Sequence, residues 1–128
     1  MKQKKIFVVD CDIKYGQKLA AHLNLKEKHE VLLFKDGNSC IDQLFREPDI
    51  VILNCKLEDV GNRFENGLAV LKEIKRLKRD ITVIMTSGSY KYGEAAQSIS
   101  KGAFSFTFKN TYDFDDLDKI IDRVQISS

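Results

Sequence analysis

The chain has 128 residues, of which 21 are basic and 19 acidic, giving a net charge of +2. This length favours one domain, residues 1–128, whose single core buries roughly two-thirds of the surface exposed by the unfolded chain. Because basic and acidic residues are nearly balanced, the composition argues against a nucleic-acid-binding protein. Local basic clusters, such as Lys4 and Lys5, are expected to be solvated.

Hydropathy and cysteine spacing indicate the cellular compartment and the state of the cysteines. No segment approaches the ~18 consecutive apolar residues of a membrane helix, and the opening MKQKKIFVVD contains no signal-peptide cleavage pattern. We therefore expect a cytoplasmic protein without a membrane partner. Cys11, Cys40 and Cys55 form no CxxC pair, so we interpret them as reduced thiols rather than a disulfide framework or a zinc site.

Strand and helix patterns alternate along the chain. Short runs rich in apolar and β-branched residues predict five strands, at residues 6–9, 31–34, 50–53, 81–85 and 104–108. Helical spacing lies between and after them, on Leu19 and Leu23, then Ile41, Leu44 and Phe45, then Leu68, Leu71, Ile74 and Leu77, then Ala95, Ala96 and Ile99, and finally Leu117, Ile120, Ile121 and Val124. Because the central runs are almost wholly apolar, they indicate strands buried on both faces of a parallel sheet.

Polar side chains gather where the predicted strands end. In an open α/β sheet, ligands bind in the crevice beyond the carboxyl ends of the strands. The residues predicted to lie there are Asp10, Cys11 and Asp12 after strand one, Asn54 at the end of strand three, Ser87 after strand four and Lys109 after strand five. The crevice thus combines carboxylates, an amide, a hydroxyl and an ammonium.

Four segments in this order carry a resemblance to a known family. They are FVVDCD, PDIVILN, TVIMTSG and KGAFSFTFKN. With these four segments in this order, the chain resembles the receiver domain of two-component response regulators over essentially its whole length. The predicted fold is therefore a three-layer α/β/α sandwich with a five-stranded parallel sheet in the order 2-1-3-4-5, the flavodoxin-like receiver fold.

The resemblance implies a set of roles. In the family, an aspartate at the end of strand three accepts a phosphoryl group, and Mg²⁺ held by acids after strand one neutralises its oxygens. A Ser or Thr and a lysine then hold the phosphoryl oxygens, while an aromatic residue on strand five follows the switch. By position these roles fall on Asn54, on the pair Asp10 and Cys11, on Ser87 and Lys109, and on Phe106.

Several positions depart from the family pattern. Asn54 has no anionic oxygen to act as a nucleophile, and the Cys11 thiol is too soft for Mg²⁺. We therefore expect no cofactor, and at most a weak metal contact at Asp10. Asn110 also replaces the proline that usually follows the lysine, and the loop from residue 54 to residue 67 is longer than usual.

The acidic and cysteine residues near the crevice each have two possible interpretations. Asp10 and Asp12 could hold a cation, but we favour Asp12 as the cap of the first helix and Asp10 as the partner of Lys109. Cys11 and Cys55 could form a redox or soft-metal sensor, although cysteine is commonly a small buried apolar residue. We therefore interpret these acidic and cysteine residues mainly as structural.

Other polar and aromatic residues suggest no enzyme. His22 and His29 lie in or after the first predicted helix, away from the strand ends where Ser87 is expected. No Ser/His/acid arrangement is therefore visible. The strand residues Phe104 and Phe106 are expected in or near the core. Tyr90 and Tyr92 are either partner anchors or ordinary surface tyrosines.

These observations predict a receiver-like signalling module that acts by protein–protein contact without phosphorylation. The expected partners are a sensor kinase or a downstream effector, bound through the face formed by helix four, strand five and helix five. A homodimer through that face is a second expectation. Open alternatives are a phosphoacceptor with altered chemistry, using Asp12 or an Asn54 converted to aspartate, a fragment of a longer regulator, or an Asn54 introduced by mutagenesis.

Overall fold

The computed structural model describes residues 3–25, 28–57, 63–89, 91, 93–110 and 113–125. The strands are β1 (Lys5–Val9), β2 (Glu30–Phe34), β3 (Ile50–Asn54), β4 (Thr82–Ser87) and β5 (Ser105–Phe108). The helices are α1 (Ile13–Leu23), α2 (Gly37–Asp42), α3 (Gly67–Leu77), α4 (Glu94–Ser100) and α5 (Asp115–Arg123), with a 3-10 turn at Leu44–Arg46. Within these ranges, no helix has the length and apolar character needed to cross a membrane.

All strand pairs are parallel, and the sheet order is β2-β1-β3-β4-β5. This confirms the predicted fold class and strand order. The register places Val9 beside Leu53 and Asn54 beside Thr86. The carboxyl ends of the central strands therefore meet along one edge of the sheet.

The sheet separates two apolar cores. Alternation along β1 sends Phe7 and Val9 to the side packed by α2 and α3, and sends Ile6 and Val8 to the side packed by α1 and α5. Apolar side chains of the central strands thus lie on both faces, which is the three-layer arrangement that the sequence predicted.

Three helices begin at a side-chain cap. The carboxylate of Asp12 accepts a hydrogen bond from the Tyr15 amide at 3.1 Å, and the carboxylate of Asp36 accepts one from the Ser39 amide at 2.8 Å. Asn66 caps α3 through the Ala69 amide at 3.0 Å. The interpretation of Asp12 as the cap of the first helix is confirmed, and its carboxylate is engaged in α1.

Some predicted apolar faces are wrong. Phe45 is 68% exposed because α2 ends at Asp42 and the tighter 3-10 turn that follows rotates Phe45 outward. In the two-turn helix α4, Ala95, Ala96 and Ile99 are exposed, and the buried residue is Ser98. Further along, Leu77 is 43% exposed at the end of α3 and Phe104 is 47% exposed just before β5.

Candidate functional site

The predicted crevice lies at the carboxyl edge of the sheet. Asn54 ends β3, Ser87 ends β4 and Lys109 follows β5. The backbone amide of Lys109 donates to the Ser87 carbonyl at 2.8 Å. Asp10 follows β1 and its amide donates to the Phe34 carbonyl at 3.0 Å. Parallel pairing thus fixes the origin of each of these side chains through the backbone.

A buried ion pair lies at the crevice. The Lys109 ammonium lies 2.9 Å from Oδ2 of Asp10, and only 12% of the lysine side chain and 2% of the aspartate side chain are exposed. The other carboxylate oxygen, Oδ1, accepts a hydrogen bond from the Asp12 amide at 2.9 Å. Both charges therefore have partners, as buried charges require, and the expected Asp10 to Lys109 contact is present.

Tyr15 is a member of this site that the sequence reasoning missed. The Lys109 ammonium lies 4.3 Å from the centroid of the Tyr15 ring, within cation–π range. Burial, followed by the charges of Asp10 and Asp12, raises the pKa of Tyr15 to about 12, so its phenol remains neutral. The available signal was an aromatic residue in the first turn of the helix that follows the acids.

The Asn54 amide is turned toward its own loop. Its Nδ2 donates to the Lys56 carbonyl at 2.8 Å. Oδ1 is buried, and no residue in the described ranges donates a hydrogen bond to it. Gly67 lies against this turn so closely that a Cβ there would overlap the Asn54 carbonyl oxygen.

Ser87 and Phe106 occupy the other predicted positions. The Ser87 hydroxyl donates to the Ser89 carbonyl at 2.9 Å and accepts from the Ser89 amide at 3.2 Å. Phe106 packs in part against the core, with its ring centroid 5.2 Å from that of Phe108. Ser87 therefore stabilises its own turn, and Phe106 is near the core as expected.

The two cysteines near the strand ends lie in different surroundings. The Cys11 thiol, which is partly exposed, lies 3.8 Å from the Lys56 carbonyl oxygen. Cys55 is buried in the core with its sulfur 3.9 Å from the Ser98 hydroxyl. Burial, then the charge of Glu94, raises the pKa of the Cys55 thiol to about 11. This arrangement does not support a two-cysteine sensor.

These donors do not fit Mg²⁺. Asp10 is paired with Lys109, Asp12 caps α1, and the remaining groups are the Cys11 thiol and the Asn54 amide. Mg²⁺ favours carboxylate and water oxygens. Over the described ranges, no group of three or more His, Cys, Asp or Glu side chains is arranged to hold a metal ion.

Solved structures show the same architecture. The receiver domain of NtrX from Brucella abortus is 31% identical, with a TM-score of 0.81 over 96% of this chain and 99% of that chain. The longer NtrX from Brucella abortus in complex with ADP is 30% identical with a TM-score of 0.83, and there the match covers 96% of this chain but 27% of that chain. A CheY-like receiver domain protein from Methanospirillum hungatei, 21% identical with a TM-score of 0.79 over 96% of this chain and 94% of that chain, shares the fold.

Comparison at the level of sequence families agrees with the structural comparison. No curated protein matches the chain at a significant level. The family model of the response regulator receiver domain matches residues 6–122, which include the strand ends and the crevice described above. The chain therefore belongs to the response regulator receiver domain family.

Proposed function

We propose that this receiver domain signals through protein–protein contacts and is not phosphorylated at position 54. The observation that carries the proposal is the Asn54 amide at the end of β3, the phosphoacceptor-equivalent position. An amide offers no anionic oxygen to attack a phosphoryl group. Family membership supports a role in signalling, and the Asn54 chemistry supports a changed input.

Neighbouring contacts support an unswitched crevice. Lys109, the phosphate-contact equivalent, is paired with Asp10 at 2.9 Å. The Ser87 hydroxyl is bound within its own turn. Since the groups that would hold a phosphoryl group already have internal partners, we propose that the crevice stays in one conformation.

Output would come from the face formed by α4, β5 and α5. Ile99 on α4 is 51% exposed, Phe104 before β5 is 47% exposed and Phe108 at the end of β5 is 41% exposed. Apolar side chains left exposed in this region support a protein-binding role for the face. We propose a downstream effector or a sensor kinase as the partner, with a homodimer through the same face as the second candidate.

Intact mass after exposure to a small phosphodonor tests the proposed input. The native protein should show no phosphoryl adduct with acetyl phosphate and Mg²⁺, whereas the double variant Asn54→Asp with Cys11→Asp should acquire one. A native adduct would overturn the proposal. If that adduct disappeared in Asp12→Asn, which keeps a side-chain oxygen for the helix cap, Asp12 would be the altered acceptor.

A further inference from the structure

We infer that Tyr15 is a positioning residue for Lys109. Its ring face and the Asp10 carboxylate together form what we call the lysine clamp, made of Asp10, Tyr15 and Lys109. The clamp fixes the ammonium beside the Asp10 carboxylate, and Lys109 donates no hydrogen bond to Asn54 Oδ1. The inference rests on the proposed function only in taking the crevice as unswitched.

The geometry of the clamp is shielded from water. Nζ of Lys109 lies 2.9 Å from Asp10 Oδ2 and 4.3 Å from the Tyr15 ring centroid. Tyr15 is 7% exposed and the lysine side chain 12% exposed. Because a cation–π contact strengthens when its partners are desolvated, the ring contributes substantially to holding the ammonium here.

The Asn54 oxygen is consistent with this placement of Lys109. Asn54 Oδ1 is buried and receives no hydrogen bond from the described residues. Buried amide oxygens are normally satisfied, and a lysine ammonium carries three donors. Lys109 donates no hydrogen bond to Asn54 Oδ1, and its ammonium lies instead at Asp10 and over the Tyr15 ring.

The ring of Tyr15 is itself held in place. It packs edge-on against Phe114, with ring centroids 5.9 Å apart and an interplanar angle of 70°. Phe114 is the residue immediately before α5, and its ring also lies 5.1 Å from the ring of His22. His22 Nε2 in turn lies 2.8 Å from Asp118 Oδ2 on α5. The clamp therefore connects the crevice to the packing of α1 against α5.

Amine acylation of Lys109 tests the clamp directly. The native protein, Tyr15→Phe and Tyr15→Leu would be treated briefly with acetic anhydride, and the modification of each lysine followed by peptide mass spectrometry. The exposed Lys14 supplies the reference rate. Tyr15→Phe keeps the aromatic face and should match the native rate, whereas Tyr15→Leu should label Lys109 about two- to thirtyfold faster.

A purely structural tyrosine would behave differently. Tyr15→Leu would then lower the melting temperature while leaving the Lys109 rate, relative to Lys14, equal to that of Tyr15→Phe, and this would overturn the inference. If Tyr15→Leu does not fold, Tyr15→Met provides the same comparison with an unbranched side chain. Asp10→Asn should also accelerate labelling, and an unchanged rate would contradict the clamp as well.

The outcome is distinguishable from that of the phosphodonor experiment. A native protein without an adduct but with no acceleration in Tyr15→Leu would retain the proposed function and remove the clamp. A native adduct together with accelerated labelling would retain the clamp and remove the proposed function. The two measurements thus address different claims about the same crevice.

Discussion

At the scale of single residues, the thiols illustrate how burial decides chemistry. Cys40 and Cys55 are both within the core, and burial is the main cause that raises the pKa of Cys40 to about 12 and that of Cys55 to about 11. Cys11 is partly exposed at the crevice. Since the thiolate is the reactive species, the three cysteines should differ sharply in reactivity.

We expect a disulfide reagent to modify Cys11 in the native protein and to reach Cys40 and Cys55 only on unfolding. Titration with Ellman's reagent at mildly alkaline pH, with and without denaturant, measures this difference. Cys11→Ser is the matched control, and it should abolish the native reaction. Rapid native modification of Cys55 would contradict the described packing and reopen the sensor hypothesis.

His29 predicts a pH dependence of stability. It is 1% exposed, its Nδ1 accepts the Lys4 amide at 3.3 Å, and burial followed by Lys28 and Lys4 lowers the pKa of its imidazole below 6.5, while Asp122 and Asp118 oppose the shift. The unfolded chain therefore binds more protons as pH falls through about 6.5. His29 thus contributes stability that is present above this pH and lost below it.

Chemical unfolding from about pH 7.5 to about pH 5.5 measures this dependence. The free energy of unfolding of the native protein should fall with pH, and His29→Asn, which retains an acceptor for the Lys4 amide, should flatten that fall. Parallel curves for the two proteins would show that His29 does not titrate as described.

Several residue contacts were beyond the reach of sequence patterns. The pairing of Asp10 with Lys109 was predictable because parallel strands bring their ends together. The contact of Tyr15 with Lys109 depends on the rotation of α1, and burial of Lys4 depends on its ammonium reaching the Ile121 carbonyl at 2.6 Å. Such contacts arise from tertiary packing, so a linear pattern of basic residues suggested a solvated cluster instead.

At the scale of elements, the strands follow closely from apolar composition, whereas helix faces do not always do so. α4 has seven residues and packs through Ser98, so its periodicity specifies little. Residues 58–62 of the long loop and the two tyrosines at 90 and 92 lie outside the described residues. The expectations for that loop and for Tyr90 and Tyr92 therefore remain predictions.

The junction of β3 and α3 predicts a strict requirement for glycine. A Cβ at Gly67 would overlap the Asn54 carbonyl oxygen and would lie 2.8 Å from Cys55 Cα, so backbone would have to shift. Gly67→Ala should lower the free energy of unfolding by about 3 kcal/mol or more. Denaturant unfolding would measure this loss.

Gly88→Ala is the matched control, because its Cβ would have Lys109 Cδ as nearest neighbour at an ordinary 3.9 Å. It should change stability much less. Equal effects of the two substitutions would show that α3 does not approach β3 as closely as described. Sequence patterns do not indicate this requirement, because it arises where two backbone segments that are separated in the sequence come into contact.

At the scale of the whole molecule, the fold was predictable because alternating apolar runs and helices leave few ways to cover both faces of a parallel sheet. The position of the crevice follows from that topology. The conformation of the crevice does not follow from the topology, because it depends on which buried charged side chains form ion pairs. Here Asp10, Lys109 and Asn54 are each satisfied in part by internal contacts.

We propose that the receiver fold persists in this chain while its phosphoryl trigger is lost. An amide NMR titration with Mg²⁺ and then beryllofluoride, which mimics a phosphoryl group on aspartate, tests it on the native protein and on Asn54→Asp with Cys11→Asp. We predict that native signals stay unchanged while those of the double variant shift around Ser87, Phe106 and Lys109. Shifts of the native signals at these residues would contradict the account and indicate a working phosphoacceptor.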